Sequence, residues 1–203
     1  MQLDNTFLNR FDAFLFDLDG TLADSMDLHN QAWISTLAEL GCTVTSEILF
    51  EYAGIANQKI VEIFNQRFNW SLDPSFINKE KESRFLKSLN AIQPIESVVT
   101  IVKSYTNLKP MAIVSGGAPE MVDHILKTLN LDPYFPVKVC AGDTSRGKPF
   151  PDPFLSAAKI LNVTPEKCLV FEDGEAGITG AKQASMSVVK VRADHTLEII
   201  HGY

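Results

Sequence analysis

The apolar positions of the chain follow two rhythms, and each predicts a different kind of element. Short unbroken runs bounded by Gly, Ser, Pro or Asp read as buried strands. The first spans residues 11–16, interrupted only by Asp12, and stops at Asp17-Leu18-Asp19-Gly20-Thr21. Apolar residues then recur at helical spacing. Leu28, Trp33, Leu37 and Leu40 stripe residues 27–40, with Gly41 as the stop. Further helices are predicted over 46–52, over 59–68 (Ile60, Ile63, Phe64) and over 74–89 (Phe85, Leu86, Leu89). No convincing strand interrupts this stretch of roughly 65 residues, far more than a single crossover between parallel strands requires.

After Ile92 the two rhythms alternate. A helix over 95–105 precedes a strand over 111–114, which Ser115-Gly116-Gly117 closes; Pro119-Glu120 then opens a helix with residues that suit a helix start. A strand over 137–141, a helix over 151–161 with Asp152 as its cap ahead of Pro153, a strand over 168–171, a helix over 176–184 and a strand over 187–191 follow. Strands separated by single helices imply a parallel sheet covered on both faces. The predicted organisation is therefore an α/β core, residues 1–25 and 92–203, with a helical cap inserted at 26–91.

Composition narrows the classes of function. With 203 residues, 45% of them apolar, the chain can bury a substantial core. The net charge is -7 and no run of Lys or Arg occurs, which argues against a nucleic-acid surface. The first ten residues lack a basic region followed by an apolar core, and no stretch is long enough to span a membrane, so a cytoplasmic protein is expected; a monomer is expected as well. Cys42, Cys140 and Cys168 are scattered and odd in number, which fits buried thiols better than disulfides or zinc.

The candidate chemistry lies at the predicted strand ends, where ligands collect in α/β sheets. Asp17 and Asp19 follow the first strand, Ser115-Gly116-Gly117 the second, and Glu172-Asp173-Gly174 the fourth, while Lys148 lies in the loop after the third. Crowded carboxylates repel one another unless a cation or proton intervenes. Asp17, Asp19 and Asp173 offer the hard oxygen ligands that magnesium prefers. Ser115, the amides near Gly116 and the Lys148 ammonium can hold phosphoryl oxygens as charge shifts in a transition state.

Asp17-Leu18-Asp19-Gly20-Thr21, Ser115, Gly147-Lys148-Pro149 and Glu172-Asp173, in that order, resemble the four motifs of the haloacid dehalogenase-like hydrolase superfamily. The segments 148–154 and 172–178 are similar to its β-phosphoglucomutase-like branch, which includes small sugar-phosphate phosphatases. The resemblance implies a Rossmann-like parallel sheet with a helical cap and a small phosphorylated metabolite as substrate. By that resemblance Asp17 is the nucleophile and Asp19 the general acid and base, whose backbone carbonyl also faces the metal. Magnesium would lie between Asp17 and Asp173, with Glu172 binding directly or through water. Lys148 and Ser115 would hold the phosphoryl group. In the cap, Gly54 falls at the substrate-specificity loop, Lys81 near a phosphate-contacting lysine, and His29 close to the general acid.

Departures from that pattern separate two activities. The mutase pattern places an arginine three residues after the cap glycine to grip a second phosphate, where this chain has Asn57, and Pro119 replaces a polar residue that helps hold phosphate. Both changes favour hydrolysis over isomerisation. A phosphatase is therefore expected, with a sugar-phosphate mutase as the enzymatic alternative and a silent phosphometabolite-binding regulator as the non-enzymatic one. Gly174, Gly177 and Gly180 miss the dinucleotide-binding spacing, and the Ser145-to-Lys148 match to S-x-x-K lacks its companion motifs.

Overall fold

The structure, a computed structural model, describes residues 3–201; residues 1–2 and 202–203 of the expected core segments lie outside the described residues. Six strands form one sheet in the order β5-β4-β1-β6-β7-β8. These are β1 (Ala13–Phe16), β4 (Met111–Val114), β5 (Val137–Val139), β6 (Cys168–Glu172), β7 (Ser187–Val191) and β8 (Leu197–His201). The first five pair in parallel as the pattern predicts; β8 is an antiparallel addition that the sequence reading does not contain.

Alternation along the strands divides the core into two layers. Phe14, Phe16, Met111, Ile113, Leu169 and Phe171 face one layer, closed by α1 (Asn5–Leu8), α6 (Glu96–Tyr105) and α7 (Pro119–Thr128). Ala13, Leu15, Ala112, Val114, Cys168 and Val170 face the other, closed by α8 (Asp152–Leu161) and α9 (Glu175–Gln183). Phe16 stacks on Phe171 with centroids 4.7 Å apart and planes at 9°, locking β1 to β6 directly below the strand ends. All three cysteines are buried free thiols.

Between β1 and α6 the chain leaves the sheet. It departs through β2 (Ala23–Asp24) and returns through β3 (Gln93–Pro94), which pair antiparallel as a two-residue ribbon. Four helices lie between them: α2 (Met26–Ala38), α3 (Ser46–Phe50), α4 (Asn57–Phe68) and α5 (Pro74–Leu86). They enclose an apolar cluster of their own, including Trp33, Leu37, Leu49, Val61, Phe64 and Ile77. Asp73 caps α5 by accepting from the amides of Ser75 and Phe76, with Pro74 at the first turn. Asn69, in the left-handed conformation, ends α4.

Two local expectations change. Residue 152 begins α8 instead of capping it; the cap position is Pro151, and the Asp152 carboxylate is drawn away by the Arg146 guanidinium, 2.9 and 3.0 Å, which a helix amide does not outcompete. The strand after α7 is shorter than predicted, ending at Val139, because the chain turns there and Asp143 accepts from the Cys140 amide at 2.7 Å. Among the described residues no helix is long and apolar enough to cross a membrane.

Candidate active site

Strand register determines which side chains meet. Phe16 is the partner of Phe171 across β1 and β6, so the next residues, Asp17 and Glu172, emerge side by side at the carboxyl ends of adjacent strands. The Asp17 amide donates to the Phe171 carbonyl at 3.0 Å and prolongs the ladder by one residue. From the neighbouring strand, the Ser115 amide donates to the Val139 carbonyl at 2.9 Å, holding Ser115 at the same edge. Its Oγ accepts from the Gly117 amide at 3.0 Å, a local turn that fixes the hydroxyl.

Lys148 arrives from the loop between β5 and α8. Its ammonium donates to Asp17 Oδ1 at 2.6 Å and to Glu172 Oε1 at 2.5 Å, with all three residues buried. Burial alone would strip the lysine of its proton, but the two carboxylates overcome this and raise its pKa above the ordinary lysine value. The second Glu172 oxygen accepts from the amides of Asp173 (2.8 Å) and Gly174 (3.1 Å), so both of its oxygens are engaged by protein donors. Glu172 is thereby a brace for Lys148.

The carboxylates of Asp17, Glu172 and Asp173 can each bring an oxygen within 4.8 Å of the others, a spacing that can hold a metal ion. Burial and the charge of Glu172 raise the pKa of both Asp17 and Asp173 well above the usual carboxylate value, with Lys148 opposing. The cluster thus carries more negative charge than its one lysine offsets, which a divalent cation would relieve. Thr21 Oγ1 lies 3.4 Å from Asp173 Oδ1 and ties the first strand end to the fourth.

The Asp19 side chain takes a different direction. Its Oδ1 accepts from Ser25 Oγ at 2.6 Å and meets His29 Nε2 at 2.8 Å. His29 Nδ1 in turn lies 2.6 Å from the Lys81 ammonium. An ammonium can only donate, so Nδ1 is bare and Nε2–H donates to Asp19. Burial, then the adjacent Lys81 charge, lower the His29 pKa and keep the ring neutral near neutrality. Burial also lowers Lys81, to about 8. Burial raises Asp19, yet the His29 and Ser25 contacts prevail and bring it down to about 2. The His29 ring stacks on Phe85 (3.8 Å between centroids, 8° between planes), which holds its orientation.

The helical insertion reaches down onto the strand ends. A Cβ at Gly116 would meet the Gly54 carbonyl oxygen at 2.4 Å, and one at Gly174 the Ala53 carbonyl at 2.8 Å. Only bare backbone permits this approach. The cavity beneath is lined by Asp17, Asp19, His29, Gly54, Lys81 and Ser115 among others, and encloses about 80 Å³. A typical ligand pocket starts at about 300 Å³. A substrate therefore needs the insertion to lift.

Of the residues singled out in the sequence, Asp17, Glu172, Asp173 and Lys148 form one cluster, and Asp19, His29 and Lys81 a chain leading from it. Ser115, Gly116 and Gly54 line the cavity between them. The Asp19 carboxylate lies outside the acidic cluster. Sequence reasoning missed Ser25 as a site residue and read Phe85 only as part of a helical stripe. Ser25 stands at the cap position of α2 and makes no cap bond; its hydroxyl serves Asp19 instead. The signal available was a serine six residues past Asp19, directly before a helical pattern.

Comparison with known proteins gives concordant findings. The sequence model for the haloacid dehalogenase-like hydrolases matches residues 11–185. Fructose-1-phosphate phosphatase of Escherichia coli is 32% identical over 184 residues, 90% of this chain and 97% of that protein. The 6-phosphogluconate phosphatase of the same organism is 30% identical over 200 residues, 96% of this chain and 89% of that protein. Among solved structures, the β-phosphoglucomutase of Clostridium difficile superposes with a TM-score of 0.75 at 29% identity, covering 89% of this chain and 84% of that one.

Proposed function

We propose that the chain, which belongs to the haloacid dehalogenase-like hydrolase family, is a magnesium-dependent phosphatase that hydrolyses a sugar phosphate through an aspartyl-phosphate on Asp17. Residues 26–91 serve as a cap over a core built from the remaining two segments. The observation that carries this reading is the Lys148 ammonium held between Asp17 and Glu172, beside a second aspartate committed to a proton-bearing chain.

In this reading an Asp17 carboxylate oxygen attacks phosphorus, and the bond from phosphorus to the alkoxide of the leaving group breaks. Asp19 supplies the proton to that alkoxide. It then removes one from the water that attacks the aspartyl-phosphate, which frees inorganic phosphate and regenerates Asp17. Without substrate Asp19 is ionised. An arriving phosphate dianion raises the pKa of the carboxylate beside it, so Asp19 takes up the proton for the acid step from solvent as the substrate binds. Lys148, Ser115 and the amide of Gly116 hold the phosphoryl oxygens.

Asp17 and Asp173, with the backbone carbonyl of Asp19, would hold magnesium, and Glu172 would act from behind through Lys148 or a water. The bound ion would supply positive charge against the carboxylates and the transferring phosphoryl group.

Hydrolysis is favoured over isomerisation by Asn57. It is uncharged and its amide nitrogen donates to Asn78 Oδ1 at 3.0 Å, so it offers no cation for a second phosphate. Relatives named as phosphatases of fructose 1-phosphate and 6-phosphogluconate support a sugar-phosphate substrate. Phosphate release from a panel of phosphomonoesters, with and without magnesium, tests the proposal. Stoichiometric inorganic phosphate from sugar monophosphates, dependent on magnesium, is the expected result. Conversion of glucose 1-phosphate to glucose 6-phosphate without free phosphate would replace hydrolysis with mutase chemistry, and ligand binding without turnover would remove the catalytic reading altogether.

A further inference from the structure

Beside the cavity under the cap lies a buried polar group that no atom of the described residues satisfies. Met26, His29, Asn30 and Trp33 recur at i, i+3, i+4 and i+7 on α2, so they share one helix face, and all four line the cavity. His29 is committed to Asp19 and Lys81. Asn30 is only 4% exposed, and its amide nitrogen Nδ2 has no hydrogen-bond partner among the described residues. Buried amides are almost always paired, because a desolvated donor without an acceptor is unfavourable. That nitrogen is sealed from solvent beside the cavity that Asn30 lines, and an acceptor on a bound substrate is what would satisfy it.

Charge on the same wall narrows what that acceptor can belong to. Among the lining residues Lys81 is the one lysine or arginine, and its ammonium is bonded to His29. Glu82 lines the cavity on the cap side, and Asp19 faces it from the core. A carboxylate or second phosphate on the leaving group would meet both acids with a single, already engaged cation to offset them. A hydroxyl meets no such conflict. It accepts from an amide and donates to a carboxylate.

We infer that Asn30 is a specificity-determining residue, donating from Nδ2 to a hydroxyl oxygen of the leaving group, and that the substrate class is the monophosphate of a neutral polyhydroxylated carbon chain. This deepens, and rests on, the phosphatase reading above. A site that hydrogen-bonds a substrate hydroxyl discriminates strongly against an analogue lacking it, because its own polar group is then left unpaired.

The test measures kcat/KM by phosphate release for three neutral substrates (fructose 1-phosphate, glucose 6-phosphate, sorbitol 6-phosphate), for the acidic 6-phosphogluconate and for propyl phosphate, which has no hydroxyl. Wild-type protein should favour the best neutral substrate over both propyl phosphate and 6-phosphogluconate by about tenfold or more. In Asn30→Leu and Asn30→Ala the preference over propyl phosphate should shrink by about tenfold, chiefly through KM. A folding defect would lower both rates together and leave their ratio intact. Ratios unchanged in a folded variant overturn the role of Asn30. Equal wild-type rates on propyl phosphate overturn hydroxyl recognition even if neither variant folds, and preference for 6-phosphogluconate overturns the neutral class. If no phosphomonoester is hydrolysed at all, the phosphatase reading itself fails, and this outcome is distinct from the others.

Discussion

Replacing Gly177 with alanine sets two effects of opposite sign against each other. Gly177 is the third residue of α9, and alanine is favoured over glycine in a helix by about 1 kcal/mol. Against this, a Cβ at 177 would lie 1.5 Å from Glu172 Oε1, 2.2 Å from Cδ and 2.6 Å from Cγ. Carbon contacts are favourable only near 3.5 Å, so the carboxyl group must retreat by roughly 2 Å. Glu172 is fully buried, and that displacement breaks its contact with Lys148 and its bonds from the amides of Asp173 and Gly174. Disrupting a buried charged pair costs about 3–5 kcal/mol. The net effect is a loss of about 2–4 kcal/mol, or a fall in Tm of about 5–15 °C for a chain of this size. Thermal and urea unfolding followed by far-UV circular dichroism measure it. The same substitution in a Glu172→Ala background should be neutral or stabilising, since the obstructed carboxylate is gone. A single Gly177→Ala protein as stable as wild type would refute the reasoning.

Other perturbations separate the charged groups. Asp17→Asn should lower phosphate release by about 10⁴-fold or more while leaving the circular dichroism spectrum unchanged. Chelation should abolish activity, and magnesium at a hundredfold excess over its Kd should raise stability by about 2.7 kcal/mol. Its affinity, measured calorimetrically, should weaken as pH falls, because burial and the charge of Glu172 keep the pKa values of Asp17 and Asp173 high and protons then compete for the same oxygens. Lys81 titrates near 8 in the folded protein against 10.5 for the ordinary side chain, so between these values the unfolded chain holds more protons. Stability relative to Lys81→Met should therefore rise with pH across that window, by up to about 3 kcal/mol in urea titrations. A flat difference between pH 7.5 and 10.5 would show that Lys81 is not desolvated as its burial implies.

The fold was legible where burial is two-sided and illegible where it is partial. Strands such as Phe14-Leu15-Phe16 and Cys168-Leu169-Val170-Phe171 bury both faces, so an uninterrupted apolar run marks them, and the single helices between them require parallel pairing. β8 carries a different signature. Leu197-Glu198-Ile199 alternates, Glu198 is paired with Arg192 at the surface, and the strand exists because a tight turn folds it back on β7 at the sheet edge. The β2–β3 ribbon is shorter still. Two residues carry no period, and its pairing depends on contacts between positions 23–24 and 93–94 that no local pattern contains.

The same division runs through the site. Asp17, Ser115, Lys148, Glu172 and Asp173 lie at or beside strand ends, so the topology alone brings them to one edge of the sheet. The role of Glu172 as a brace is not a matter of position: it follows from where its two oxygens point, to Lys148 on one side and to two amides on the other. In the cap the dependence is stronger. His29 and Lys81 are 52 residues apart and meet only because α2 packs against α5, with the ring sandwiched onto Phe85. Ser25 is an ordinary residue for the start of a helix, where serine commonly serves the backbone, and Asn30 is one polar residue inside α2. What sets them apart is that Ser25 turns its hydroxyl away from the helix to Asp19, and that the Asn30 amide nitrogen finds no acceptor among the described residues. A helix start can be read from spacing; a donor without an acceptor becomes visible only when every neighbour has been placed.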